Sequence, residues 1–156
     1  ACLDQGDADR AAAIYEHELG GIEDCFDCAD FALVPLLWGR IAYADRIPAP
    51  LRARIDAATL NFRYWMDEPG NDVQWYFSEN HALLFHTAAY LAGHMFPDAR
   101  FVRSGRKGTE QSAAGREPSP ACRRCACHNG RRCSCAQVDR APRRDSVFTA
   151  EATVRR

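Results

Sequence analysis

Large apolar residues almost vanish from this chain after Arg116. Among the remaining forty residues they are only Val138, Val147, Phe148 and Val154. Ordering each residue costs about 1–2 kcal/mol in conformational entropy, and a segment this poor in apolar side chains cannot bury enough surface to offset that cost. The sequence therefore predicts one folded domain over residues 1–116 and a disordered tail over residues 117–156.

The charge of the chain changes at the same place. Residues 1–116 contain 11 Lys and Arg against 17 Asp and Glu, whereas residues 117–156 contain 9 Arg and 4 acids. The overall formal charge of −1 argues against a nucleic-acid-binding protein. No apolar run approaches the roughly 20 residues that a membrane-spanning helix needs. We therefore expect neither nucleic acid nor a membrane as a partner.

The tail has an unusual composition, and five of the eight cysteines lie in it. Its Arg, Ala, Pro, Cys and Ser residues have codons rich in G and C, so a GC-rich gene read out of frame would produce this mixture. We interpret residues 117–156 as an out-of-frame translation. Structural zinc usually takes two pairs of ligands around a folded spacer, and the tail has neither that spacing nor an apolar spacer. We predict no metal site and no cofactor.

Before Arg116, apolar residues recur at intervals of three and four, which predicts helices joined by short loops. A first helix is expected over residues 7–19, with Gly20 and Gly21 ending it. Asp27 or Asp30 is a suitable cap for a second helix that extends to about residue 45. The apolar positions of the second helix predict one buried stripe: Phe31, Val34, Leu37, Trp38 and Ile41.

Pro48 and Pro50 separate this helix from a third, which is expected over residues 51–65. Its predicted buried stripe is Leu51, Ile55, Ala58 and Phe62. Ser78 predicts the N-cap of a fourth helix over residues 79–95, and Thr109 that of a short fifth helix ending near residue 116. No segment alternates as a strand does. The fold class is therefore all-α, built of antiparallel α/α hairpins.

The connection before the fourth helix combines acids with aromatic rings, at Trp65, Asp67, Glu68, Trp75 and Tyr76. Aromatic rings offer flat apolar surfaces to sugar rings, and carboxylates can bind hydroxyl groups or act as general acids. We predict that these side chains bind substrate, together with Arg106, which would meet an anionic group. The alternative is that the aromatic rings pack the hairpin core while the acids solvate the loop.

The fourth helix begins with Glu79, Asn80 and His81, which we predict to be the catalytic residues. A neutral imidazole can accept a proton, and a neighbouring amide can bind the carboxyl group of an acidic sugar. Binding of that group makes the adjacent proton easier to remove, and the positive end of a helix favours an anion. An alternative for His81 is a hydrogen-bonded core residue, since it shares a helical stripe with Leu84 and Ala88.

The segment SENHALLFHTAAYLAGHMFPD, residues 78–98, resembles the Asn-His helix of toroidal polysaccharide lyases. The heparinase II/III-like and alginate-lyase-like families carry Asn-Asn-His before an alanine-rich helix that ends near Phe-Pro. The resemblance covers roughly residues 60–111. It implies that Asn80 neutralises a uronate carboxyl group and that His81 assists proton transfer. Glu79 stands where those families have their first Asn.

The resemblance also implies an (α/α) toroid of about six hairpins, of which residues 1–116 would supply about two. We expect a partial slice of such a toroid: a fragment of a carbohydrate-active enzyme, most simply a uronate-polymer lyase working by β-elimination on a polysaccharide. The fragment itself is expected to be inactive and prone to aggregate. Two alternatives stay open. One is a six-hairpin glycoside hydrolase using Glu79 and Asp67, and the other is a non-catalytic helical interaction module.

Overall fold

Five α-helices and one short 3₁₀ helix make up most of the structure, a computed structural model that describes Cys2 and residues 5–116. The helices are α1 (Ala8–Glu23), α2 (Ala29–Ala42), α3 (Ala49–Asn61), α4 (Glu79–Met95) and α5 (Gly108–Arg116), with the 3₁₀ helix at Ala44–Arg46. The described residues contain no strand, so the prediction of an all-α fold is confirmed for them. The predicted disorder and out-of-frame origin of residues 117–156 lie outside the described residues.

Side-chain caps begin two of these helices: Ser78, as predicted, and Asp7, which the sequence placed at the start of the first helix. The predicted caps of the second and fifth helices are wrong, because α2 begins after Cys28 with no side-chain cap and Thr109 lies inside α5. The carboxylate of Asp7 accepts a hydrogen bond from the backbone nitrogen of Arg10 at 3.1 Å. The hydroxyl of Ser78 accepts from the backbone nitrogen of His81 at 3.3 Å. These contacts satisfy N–H groups that the first turn of a helix leaves without a partner.

The predicted end of the first helix is wrong, because α1 continues through Gly20 and Gly21 to Glu23. Ile22 explains the extension: its side chain lies fully in the core. Burying an isoleucine stabilises the fold by about 1.5–3 kcal/mol, which offsets the cost of about 2 kcal/mol for two glycines inside a helix. Tertiary packing therefore compensates for the local preference to stop.

The predicted buried stripe of α2 is wrong at three of its five positions, because the side chains of Phe31, Trp38 and Ile41 are exposed. Of the other two, Leu37 is buried as predicted and Val34 is partly buried, and the sequence missed the buried Leu33 and Leu36. Apolar residues occupy most of the circumference of this helix, so spacing alone does not choose the inward face. The choice depends on the packing of α2 against α1 and α4.

The predicted stripe of α3 is confirmed, because Leu51, Ile55, Ala58 and Phe62 are all buried. The helix nevertheless ends at Asn61 rather than near residue 65. Phe62 has extended backbone angles and starts a long connection to α4. Buried side chains from this connection join those of the helices in one continuous core.

Helices α4 and α5 contact each other through their backbones. A Cβ atom at Gly93 would lie 2.4 Å from the carbonyl oxygen of Gly108, and one at Gly115 would lie 2.5 Å from the backbone nitrogen of Tyr90. Only glycine allows two backbones to approach so closely. The sequence therefore has the residue type that this helix packing requires, as far along the chain as Gly115. None of the described helices is both long and apolar enough to cross a membrane.

Candidate functional site

The connection between α3 and α4 is organised by the buried guanidinium group of Arg63. Its Nε donates to the carbonyl oxygen of Glu68 at 2.7 Å, and its Nη2 donates to that of Met66 at 2.8 Å. Its Nη1 donates to the carbonyl oxygen of Asn71 at 2.7 Å and to Oδ1 of Asp72 at 2.8 Å. These bonds hold residues 66–72, which have no regular secondary structure, in one conformation. The connection that leads into α4 is therefore well defined.

Glu68 is part of this internal framework, because its carboxylate is only 3% exposed. Its Oε2 accepts from the backbone nitrogen of Tyr64 at 2.7 Å, and its Oε1 accepts from Nη1 of Arg106 at 3.3 Å. Burial raises the pKa of Glu68, although the Tyr64 N–H and the Arg106 charge oppose that rise. The carboxylate that we predicted to bind substrate therefore lies in the core, tied to a predicted substrate-binding arginine.

Asp67 and Arg106 remain partly accessible at the edge of this framework. The carboxylate of Asp67 is about half exposed, with Oδ2 at 4.0 Å from Nη2 of Arg106. Arg106 keeps part of its guanidinium at the surface while it contacts Glu68. Of the predicted charged ligands for a sugar, these are the two that solvent reaches.

The aromatic residues of the connection divide into a buried and an exposed pair. Trp65 and Tyr76 are buried with ring centroids 5.5 Å apart, and Tyr76 lies 4.4 Å from Phe85 of α4. These two rings pack the core, as our alternative interpretation expected. Trp75 and Phe77 are exposed and touch edge to face at 5.3 Å. Apolar ring surface accessible to a ligand therefore comes from Trp75, a predicted substrate-binding residue, and from Phe77, which is outside that predicted set.

The first turn of α4 carries the three predicted catalytic residues. Glu79 and Asn80 are exposed, and they follow the capping residue Ser78 directly. The side chain of His81 is 12% exposed, so part of its ring reaches the surface. The turn thus presents a carboxylate, an amide and an imidazole at the positive end of a helix.

His81 is held by a carboxylate that the sequence did not identify as part of a site. Its Nδ1 lies 2.9 Å from Oδ2 of Asp30, which is on α2 and fully buried. Burial raises the pKa of Asp30, and the proximity of His81 opposes that rise. The ring of His81 also meets Phe31 edge to face at 5.1 Å and stacks on Phe85 at 6.5 Å.

Sequence reasoning missed Asp30 as a site residue because it lies 51 positions from His81. From the sequence, Asp30 is a candidate only for a helix cap. One signal was present: Asp30, Leu33 and Leu37 follow one another at helical spacing, so the acid shares a face with two core leucines. A carboxylate on a buried face needs a partner, but the sequence does not identify which one.

A second partly buried histidine lies farther along α4. The ring of His86 lies 4.7 Å from that of Trp65, and burial lowers the pKa of His86. Within residues 5–116, no three His, Cys, Asp or Glu side chains come together in a way that could hold a metal ion. Among the residues predicted to be catalytic, Glu79, Asn80 and the accessible part of His81 reach solvent together in the first turn of α4.

No family model, curated protein or solved structure matches this chain. The function of the site is therefore argued from its own residues and their geometry. Asn80, Glu79 and the accessible part of His81 form its surface, and Asp30 forms its buried support.

Proposed function

We propose that this chain is part of a carbohydrate-active enzyme that cleaves a uronate polymer by β-elimination. The observation that supports this proposal most directly is the first turn of α4. There an exposed amide, Asn80, precedes an imidazole, His81, whose ring reaches the surface. An amide donor and a base side by side are what removal of a proton next to a carboxyl group requires.

In this reaction, Asn80 donates a hydrogen bond to the carboxylate of the uronate, whose negative charge is also favoured by the helix N-terminus. His81 takes the proton from the carbon next to that carboxyl group. The electron pair of the broken C–H bond forms a carbon–carbon double bond to the neighbouring ring carbon. The bond from that carbon to the glycosidic oxygen breaks, and the departing oxygen takes a proton from water. The products are an unsaturated sugar and a shortened chain.

We also propose that the helices belong to an (α/α) toroid, of which this chain is a slice. The support is the outward face of α2, where Phe31, Trp38 and Ile41 are exposed at helical spacing. Stacked helical hairpins bury such faces against their neighbours, so an isolated pair of hairpins leaves them in water. A slice of this kind carries the residues of the site without the whole cleft.

Binding to the chain itself tests the carbohydrate proposal. A uronate oligosaccharide is titrated into the protein and compared with the same oligosaccharide whose carboxyl groups have been reduced to alcohols. We expect the acidic ligand alone to bind. Asn80→Ala should weaken binding about tenfold or more, the usual effect of losing a hydrogen bond to a charged group. Asn61→Ala, which removes an exposed amide on α3, should leave binding unchanged.

The chemistry is tested on the enzyme encoded by the complete reading frame. Release of a product with the ultraviolet absorbance of a double bond conjugated to a carboxylate is expected from a uronate polymer. His81→Ala should abolish it, and His17→Ala, at an exposed position of α1, should not. If new reducing ends appear without that absorbance, the result would favour a glycoside hydrolase using Glu79 and Asp67 over a lyase. Equal binding of the acidic and the reduced oligosaccharide would contradict the uronate proposal.

A further inference from the structure

The geometry around His81 points to a positioning residue: we propose that Asp30 fixes the tautomer of His81 so that Nε2 is the basic nitrogen. This inference rests on the proposed function, since it takes His81 as the base. Asp30 belongs to α2, whereas the predicted catalytic residues all belong to the first turn of α4. The site is therefore completed by a second helix.

The argument starts from the contact itself. A carboxylate can only accept hydrogen bonds, so the nitrogen 2.9 Å from Oδ2 of Asp30 carries the proton of a neutral imidazole. That nitrogen is Nδ1. The lone pair of the neutral ring is then on Nε2, which faces away from Asp30 on the opposite side of the ring. The distribution of protons on His81 thus follows from one contact between two helices.

Ring packing holds this arrangement in place. The edge-to-face contact with Phe31 and the stacking on Phe85 restrict rotation of the imidazole. With Asp30 at Nδ1, the ring has one orientation. A base held in one orientation and one tautomer needs no reorganisation when the substrate arrives, which lowers the free-energy cost of proton transfer.

If the contact of Asp30 with His81 were only structural, burying this carboxylate would cost folding free energy with little return. It is fully buried, and its second oxygen, Oδ1, makes no hydrogen bond of normal geometry among the described residues, although the backbone N–H groups of Asp30 and Phe31 oppose the rise in the pKa of the carboxyl group. Burying a carboxylate costs free energy unless its hydrogen bonds are complete, and a well-packed apolar side chain usually serves stability as well or better. A buried carboxylate at Nδ1 of a histidine whose side chain is 12% exposed instead suits a role in orienting that histidine.

The substitution Asp30→Asn removes the negative charge of the side chain and keeps its shape. An asparagine keeps the volume of the side chain, but its amide can donate a hydrogen bond to Nδ1. The proton of the neutral ring then moves to Nε2, and the base is lost. In the complete enzyme, turnover should fall by about a hundredfold to ten-thousandfold, the range seen when a histidine base is held in the wrong tautomer. The matched control is Asp27→Asn, which alters an exposed acid in the loop before α2.

The decisive measurement is the nitrogen NMR spectrum of the His81 ring in the full chain, recorded on the neutral form of the ring. The signals are assigned by their loss in His81→Gln. We expect the Nδ1–H tautomer in the wild type and in Asp27→Asn, and the Nε2–H tautomer in Asp30→Asn. A wild-type ring in the Nε2–H form would overturn the proposal without any variant, and so would an Asp30→Asn spectrum identical to that of the wild type.

This readout needs no substrate, so it separates the two proposals. An Nδ1–H ring in a chain that binds no uronate would overturn the proposed function and support the positioning of His81 by Asp30. An Nε2–H ring in an active lyase would overturn the role of Asp30 and support the proposed function.

Discussion

Glu68 links folding to pH through a single buried carboxylate. Burial raises its pKa above the ordinary value of 4.5, although Tyr64 and Arg106 provide hydrogen bonds. Between the ordinary and the raised value, the folded chain binds more protons than the unfolded chain. Stability therefore falls as pH rises through that window. Asp30, whose pKa is raised from 3.8, contributes in the same direction.

Replacing Glu68 by Gln should remove its part of this pH dependence. Glutamine can still accept from the Tyr64 backbone nitrogen, so the main internal contact survives. We expect the free energy of unfolding of the wild type, relative to Glu68→Gln, to decrease as pH rises from about 4 to about 7. Urea unfolding at a series of pH values measures this difference. Asp98→Asn removes an exposed acid elsewhere in the chain and controls for net charge. Parallel curves for the wild type and Glu68→Gln would contradict the prediction.

At the scale of the helix, two glycines of this fold have opposite surroundings. Gly20 lies in α1 with no atom near the position of a Cβ, whereas Gly93 lies where α4 meets α5. A Cβ at Gly93 would be 2.4 Å from both the Gly108 oxygen and the Ser112 nitrogen. Because these are backbone atoms, they cannot move aside as the end of a side chain can.

Alanine at the two positions should therefore have effects of opposite sign. Gly20→Ala is expected to raise the free energy of unfolding by about 0.5–1 kcal/mol, since alanine is the better helix former. Gly93→Ala is expected to lower it by about 1–3 kcal/mol through overpacking at the helix contact. Thermal or urea unfolding of both variants against the wild type decides the matter. A stabilising Gly93→Ala would mean that α4 and α5 do not approach as closely as described.

Helix starts were more predictable than helix ends. Asp7 and Ser78 are followed by amide groups that need partners, and such capping depends only on neighbours in sequence. Ends depend on distant contacts: α1 passes its two glycines because Ile22 is buried, and α3 stops before the segment that Arg63 organises. Local signals therefore predict the capped starts of α1 and α4 better than the ends of α1 and α3.

For the molecule as a whole, the outward face of α2 is the feature that most affects association in water. Trp38 is 59% exposed, and Phe31 and Ile41 of the same face are each about half exposed. Contiguous apolar surface of this kind promotes association in water. Because of this face, helix α2 has apolar residues on its exposed side as well as on its buried side, as expected for a helix with neighbours on each side.

The isolated chain should therefore self-associate, and Trp38→Lys should reduce that association. The control is Val102→Lys, which replaces an apolar residue of similar exposure away from α2. Sedimentation velocity over a range of protein concentrations measures the effect. A wild-type chain that stays monomeric and unfolds in one sharp transition would contradict both this prediction and the proposal that the chain is a slice of a larger toroid.

The sequence by itself determined the helical class, the position of α4, its Ser78 cap and the presence of Glu79, Asn80 and His81 in its first turn. These features depend on periodicity and on hydrogen bonds between near neighbours, which a linear pattern records. Tertiary structure alone decided that Asp30 meets His81, that Glu68 is buried and that Trp75 rather than Trp65 faces solvent. Each of these depends on which helix packs against which, and the apolar residues around α2 are compatible with more than one inward face.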